Sequence, residues 1–503
     1  MAIEGVSGRT SYLGSSILNL KSQLDTLTQQ LASGKKSTTY AGLGVDSGTA
    51  TGLRAQISSI AGYANTGSVL NTRINVANLS LQGISSAGSQ VKAAAAGATL
   101  NLDSSGKTAG QKTAMASFTQ VIALLNTEVG GRYMFSGRAT DTPATESADV
   151  ILNGSGTRAG LNQIIDERGQ ADGTTGLGRT VITSPTPTSV TIGEDVAGSP
   201  FGLKLSAITT TSATATVTGP APPAAPPGAP SEMSVYLGAT NPADGDKVRF
   251  TFSLPDGTSE TIELTATTTT PVPAGSFAIG ADSTATAANL KAALNTAVGT
   301  LSNTALVAAS AMAASDNFFS SSPPLRVNGP PFNTATLLVP GTATNTVSWY
   351  TGEDGPDPAR GTAVAGIDQS ISVQYGARAN EDAFVAQLKN IAVYAAVSTN
   401  ASNPNANGQL TALNSRIVDN LAVHPGTQSI QDIQADFAGA QSAISIAKDR
   451  QTQTGAVAQS MLDSIQGIND NEVATKILAL QTALQASYQT TASLYQMSLV
   501  KFL

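Results

Sequence analysis

Two stretches of the chain imitate nucleotide-binding loops. Gly106-Lys107-Thr108 has the ending of a loop in which backbone N–H groups and a lysine cradle phosphates. The first glycine of that motif would fall at position 101, where Asn101 stands, and an Ala-rich helical pattern precedes it instead of a strand. Val150-Ile151-Leu152 followed by Asn153-Gly154-Ser155-Gly156-Thr157-Arg158-Ala159 imitates the strand and glycine turn of a dinucleotide site. No second strand-helix-strand unit follows, and Thr/Pro-rich sequence begins soon after, so a plain β-turn is expected there. The chain has one histidine and no cysteine. That excludes disulfides, thiolate catalysis, iron–sulfur clusters, cysteine-based zinc sites and any multi-histidine metal site. His424 lies in Leu421-Ala-Val-His-Pro-Gly between two expected helices, without a flanking Gly-x-Ser-x-Gly, and reads as an exposed or helix-capping residue. Asp354, Asp357, Glu381 and Asp382 lack the ligand spacing of a calcium loop, and the last two are expected at a helix N-terminus after Asn380. The reading is therefore of a chain that is not an enzyme, with no catalytic residue, no cofactor and no metal.

The stronger patterns are helical. Leu13, Ile17, Leu20, Leu24, Leu27 and Leu31 recur at alternating steps of four and three, the seam of a coiled coil, and Gly34 stops that helix. A second stripe runs through Leu53, Ile57, Ile60 and Ala64, slips near Gly67 and Leu70, and resumes from Ile74 to Val91. A third runs from Met115 to Val129. Toward the other end, Phe384, Leu388 and Ile391 mark one helix, and Leu410, Leu413, Ile417 and Leu421 another. The longest pattern runs from Ile433 to Ile468 with small and polar members at Ala440, Gln451 and Thr454. A final helix carries Val473, Ile477, Leu480 and Leu484 and then shifts to Tyr488, Tyr495 and Phe502. Each stripe alone fits an ordinary helical-bundle core. Their placement at both extremes of a 503-residue chain requires the two ends to meet, since neither end stripe can bury itself alone.

Between the ends the composition changes. Residues 1–140 hold 11 basic and 5 acidic side chains, residues 141–379 hold 10 and 20, and residues 380–503 hold 6 and 9. Nearly all the proline and the long Thr runs fall in the middle. Lys247–Leu254, Pro255-Asp256-Gly257-Thr258 and Ser259–Thr265 read as strand, turn and strand, and Ala285–Val298 as a short helix. The stretch 209–230 reads as a stiff Pro-rich linker. The expected organisation is a helical rod segment over 1–145, a first part of a β-rich outer region over 146–208, the linker at 209–230, and an outer α+β domain over 231–345. A return at 346–379 and a second helical rod segment over 380–503 complete it. The fold class expected is mainly α at both termini, paired into a coiled-coil rod, with a β-rich insertion. Only 12% of residues are charged and the net charge is −7, which argues against a nucleic-acid binder. No apolar run approaches 18 residues and no leader pattern opens the chain, so neither a membrane partner nor a cleaved secretory signal is expected.

Five segments, in order, resemble the bacterial flagellin family, closest to its hook–filament junction branch among the hook-associated proteins. They are Leu31-Ala-Ser-Gly-Lys-Lys-Ser37; Gly131-Arg-Tyr-Met-Phe-Ser-Gly137 with Asp141-Thr142-Pro143; Thr346-Val-Ser-Trp-Tyr-Thr-Gly352; Ile371-Ser-Val-Gln-Tyr-Gly-Ala-Arg378 with Asn380-Glu-Asp-Ala-Phe384; and Thr482-Ala-Leu-Gln-Ala-Ser-Tyr488 with the ending Met497–Leu503. The resemblance covers roughly 1–145 and 345–503. It implies a flagellin-like fold, an extracellular structural subunit exported through the flagellar channel, and self-association together with contacts to other axial proteins (hook-associated proteins and flagellin). An export chaperone is implied as well. The assembly interface implied comprises Leu13, Ile17, Leu20, Leu24, Leu27, Leu31, Ile477, Leu480, Leu484, Tyr488, Tyr495 and Phe502. Two departures stand out: Tyr40-Ala-Gly-Leu-Gly-Val-Asp46-Ser47 replaces the family's paired acidic residues, and the outer region is larger than the junction branch usually carries. The second departure keeps a filament subunit open as the alternative. A helical signalling or adhesion protein is the alternative from another class.

Overall fold

The computed structural model describes residues 4–97, 99–221 and 228–500, with side chains from residue 11 to residue 496 within them. The elements run α1 (Glu4–Ser33), a 3-10 turn (Tyr40–Asp46), α2 (Ser47–Ala96), α3 (Ala109–Leu125), α4 (Ala148–Asn153) and α5 (Leu161–Ala171). Eight strands follow: β1 (Thr180–Thr183), β2 (Ser189–Glu194), β3 (Lys204–Thr210), β4 (Thr216–Thr218), β5 (Glu232–Tyr236), β6 (Lys247–Ser253), β7 (Ser259–Thr267) and β8 (Ser276–Ala278). Then come α6 (Ser283–Asn303), α7 (Ala305–Ser320), β9 (Leu325–Val327), β10 (Leu338–Pro340), β11 (Val364–Asp368) and β12 (Ile371–Gln374). The chain closes with α8 (Asp382–Ala396), α9 (Ala406–Asn420), α10 (Ile430–Gln466) and α11 (Asp470–Val500). They divide into a terminal unit, Met1–Asn71 with Ala365–Val373 and Gln441–Leu503, and an inserted unit, Thr72–Val364 with Gln374–Ala440.

In the terminal unit α1 packs along α11. The Ile468 N–H donates to Gly34 O at 3.3 Å and the Lys36 N–H to Gln466 O at 2.7 Å, so the end of α1 meets the start of α11 and the pair is antiparallel. Gly34 ends α1 in the left-handed region at φ +66°, where a side chain would be strained. The first turns of α2 pack on the last turns of α10 through Ala50, Leu53, Ala458 and Leu462, with Leu43, Ile57 and Ile465 at their edge. The β11–β12 hairpin lies on α10, where Gln451 Nε2 donates to Ile367 O at 2.6 Å and Arg450 pairs with Asp368.

The inserted unit is built on two four-stranded sheets. One has the order β1-β2-β5-β4 and is antiparallel throughout; the other has the order β3-β6-β7-β8, with β7 and β8 parallel. Alternation along β6 sends Val248, Phe250 and Phe252 inward to meet Val190 and Ile192 of β2 and Leu290, Leu294 and Val298 of α6 in one core. Asp282 caps α6 by accepting from the Ala285 N–H at 2.8 Å. A helical layer adjoins: α7 packs on α5, α8 and α9, and α3 packs on α8.

Four differences from the sequence reading have physical reasons. Residues 146–208 open with α4 and α5 before any strand; Ser147 Oγ accepts the Val150 N–H and starts a helix through Val150-Ile151-Leu152, while the β-turn expected in the glycine stretch forms at Ser155–Arg158, whose N–H and C=O groups exchange hydrogen bonds at 3.0 Å. Part of the 209–230 stretch is no linker, because Thr216–Thr218 pairs with β5 as an edge strand. The third stripe stops at Leu125, and Val129 instead donates to Arg132 O in a tight turn. Finally, α2 from Thr72 onward and α3, expected in the 1–145 rod segment, and α8, α9 and the start of α10, expected in the 380–503 one, belong to the inserted unit. Helix α8 buries Phe384, Leu388, Ile391, Ala392, Val393, Tyr394 and Ala395, which is more than one face and marks a core helix. The stretch Ser283–Ser320 is long and apolar enough to cross a membrane by length and composition, with most of it buried inside this unit.

Candidate assembly surface

The residues expected to carry assembly separate into an inner seam and an outer face. Leu13, Ile17, Leu20, Leu24 and Leu27 of α1 and Ile477, Leu480 and Leu484 of α11 are half-buried, as the contact side of a two-helix pair should be. Leu31 is 41% exposed; in the last turn Gln30 takes the inner position, and its Nε2 donates to Lys36 O at 2.7 Å. On α11 the expected shift to tyrosines does not occur within the pair. The inner positions continue in heptad steps through Ser487, Thr491 and Leu494, while Tyr488 and Tyr495 stand outward at 52% and 62% exposure. Small hydroxyl residues let the helices approach closely, and a tyrosine ring at those steps would push them apart. Phe502 lies outside the described residues.

The segments that carry the family resemblance in the middle of the chain converge within the inserted unit. Gly137 N–H donates to Ala377 O, Ala379 N–H to Phe135 O, Glu353 N–H to Ser136 O and Glu146 N–H to Trp349 O, at 2.8 to 3.1 Å. Arg378 lies buried at the centre, donating to Gly355 O at 2.7 Å, Asp357 O at 2.9 Å and Glu353 Oε1 at 3.3 Å. Arg138 pairs with Glu353 and Asp357 from the solvent side. The Arg138 N–H and the Arg378 and Arg138 guanidinium groups hold the Glu353 carboxyl below its ordinary range. Arg360 pairs with Glu381 and stacks 4.9 Å over the Phe437 ring. Gly137, at φ +64°, has no room for a side chain: a Cβ there would meet Glu353 Oε2 at 2.7 Å. Below this hub Phe135 meets Phe384 edge-on at 5.6 Å, and Trp349 Nε1 donates to Phe319 O at 3.0 Å. None of these charged residues was singled out from the sequence as a hub. The signal available was that an Arg or a Glu recurs three positions from an aromatic residue at each of the converging segments: Phe135 and Arg138, Tyr350 and Glu353, Tyr375 and Arg378, Glu381 and Phe384.

The imitation motifs are structural. Thr108 caps α3 in a reciprocal arrangement with Gln111, and Lys107 Nζ donates to Ala395 O at 2.6 Å. His424 is exposed, its Nε2 3.0 Å from Asp419 O near the end of α9. Glu381 takes the position before α8, with Asp382 in the first turn. Among the described residues no group of three or more His, Cys, Asp or Glu side chains is arranged to hold a metal ion. No protein-family model matches the chain, and no curated protein matches it.

Proposed function

We propose that this chain is a structural, non-enzymatic subunit of the bacterial flagellum, a hook–filament junction protein that polymerises through its paired terminal helices. The observation that carries the reading is where apolar surface is left uncovered. Of the 19 large apolar side chains exposed among the described residues, 12 belong to the terminal unit, which is under a third of the chain. From Ile477 to Val500 α11 has no charged residue at all, on its seam or on its outer face. A surface helix without charge and with exposed Tyr488, Tyr495 and Leu478 is suited to burial against further helices. Copies of this chain and other axial proteins are the partners that supply such helices, and many weak seams closing together suit a subunit that stays unassembled until neighbours are present. The five ordered segments point to the junction branch. The size of the inserted unit favours the second reading, a subunit of the filament itself.

Antibody labelling of residues 231–300 on intact flagella tests the choice. A junction protein gives a single band just beyond the hook, and its deletion leaves hooks while flagellin is shed into the medium. Labelling along the whole filament supports the second reading, and absence from sheared flagella overturns both.

A further inference from the structure

The turn between α1 and α2 is held on several sides, yet it presents one aliphatic side chain wholly to water. Lys36 is tied to Gln466 through its N–H, the Ser37 hydroxyl accepts the Thr39 N–H at 3.1 Å, and Arg54 stacks 5.0 Å over the Tyr40 ring. Leu43 packs on the small core of Ala50, Leu53, Ala458 and Leu462. Gly44 then reverses the backbone at φ +58°, and Val45 emerges 99% exposed, followed by the exposed Asp46, which forms no ion pair among the described residues. Scattered exposed aliphatics are ordinary on protein surfaces; one fixed on a braced turn is a knob whose placement costs little entropy on docking.

The same unit contains a matching recess. A groove of about 300 Å³ lies between α2 and α10, with Gly67, Ile444, Ala447 and Ile367 of the hairpin as its apolar lining and Lys448 exposed at its rim without an ion pair among the described residues. A Cβ on Gly67 would sit 3.4 Å from Ile444 Cγ2, an ordinary contact, so a side chain there would take up part of the recess that the glycine leaves free. Twenty residues of α2 separate Ser47 from Gly67, about 30 Å of helix, so the knob cannot reach the groove of its own chain.

We propose that Val45 of one copy seats in the α2–α10 groove of the next copy, with Asp46 against Lys448. The contact is heterologous, using two different patches of one surface, and such contacts build rings or helical polymers rather than closed pairs. It staggers neighbouring copies by about 30 Å along α2. This rests on the reading of the chain as a self-associating subunit, and it names the contact.

The cysteine-free sequence makes the test direct. Full-length Val45→Cys copies are mixed with Ser445→Cys copies, allowed to assemble and mildly oxidised. Disulfide-linked dimers are expected, with far fewer when the partner is Gln453→Cys, exposed on α10 outside the groove. Val45→Asp is expected to raise the concentration needed for assembly at least tenfold, with circular dichroism and thermal midpoint unchanged. Asp46→Lys is expected to weaken assembly, and adding Lys448→Asp to restore it. If polymers form, Val45→Asp assembles as wild type and no crosslink appears, the contact is wrong and the subunit reading stands. If the wild-type chain neither self-associates nor occurs in flagella, both fall.

Discussion

The two units of this chain solve the burial problem in opposite ways. The inserted unit closes on itself: Phe250, Phe252, Met233, Val235 and Leu290 lie in one continuous core between two sheets and a helix, all essentially without exposure. Among its described residues the terminal unit has a small closed cluster at Ala50, Leu53, Ala458 and Leu462 and further buried residues along its helices such as Leu70, Ile444 and Ala447, while its α1–α11 pair is only half-buried along the seam. A region that finishes its own core is stable as a monomer. Under the proposed function, a region of long helices with partial seams completes its burial against neighbours, which couples its stability to assembly.

The comparison breaks most severely at the seam. Leu20→Asp or Leu484→Asp places a charge in the α1–α11 contact without a partner, a cost of several kcal/mol. Assembly should be abolished, by sedimentation and electron microscopy, while the near-ultraviolet signature of the inserted unit persists. The converse change is Phe250→Ala, which empties a fully buried site and should destabilise the inserted unit by about 3–5 kcal/mol in urea unfolding. Polymers should still form at low denaturant; loss of both together would mean that the two units are one folding system.

A subtler distinction concerns pH. Because Glu353 titrates below its ordinary value of 4.5 in the folded chain, its contribution to stability is present above that value and is lost as pH falls through the depressed one. Thermal unfolding of the inserted unit followed downward from pH 5 should fall less steeply for Glu353→Gln than for wild type, and equal slopes would remove Glu353 from the acid response. The smallest effect on folding is expected on the outer face of α11. Tyr488→Ser and Tyr495→Ser should leave monomer stability within about 0.5 kcal/mol, since both rings are exposed, yet raise the assembly threshold. An unchanged threshold would confine assembly to other faces.

Legibility followed the range over which each pattern acts. The β6–β7 hairpin was readable because alternation and Pro255-Asp256-Gly257-Thr258 are both local; Asp256 Oδ1 accepts from Thr258 within the turn. Gly34, ending α1, was readable for the same reason. The hub around Arg378 was not, because its partners Glu353, Gly355 and Asp357 and the strand-like segment at Phe135 are joined only when distant stretches meet.

What the sequence alone determined is the set of elements: where apolar residues recur at helical or strand period, where glycine or a capping side chain stops them, and which chemistries the missing cysteines exclude. Tertiary structure decided which helices share a unit and which residues face inward. Helix α8 looked like one more stripe of the terminal helices until α3 and α7 covered its remaining faces. Tyr488 looked like a seam residue until α1 packed beside Ser487 and Thr491 at half-buried positions and left the ring outside. Periodicity fixes the faces of an isolated helix, but burial depends on the partner, and the partner here arrives from the opposite end of a 503-residue chain.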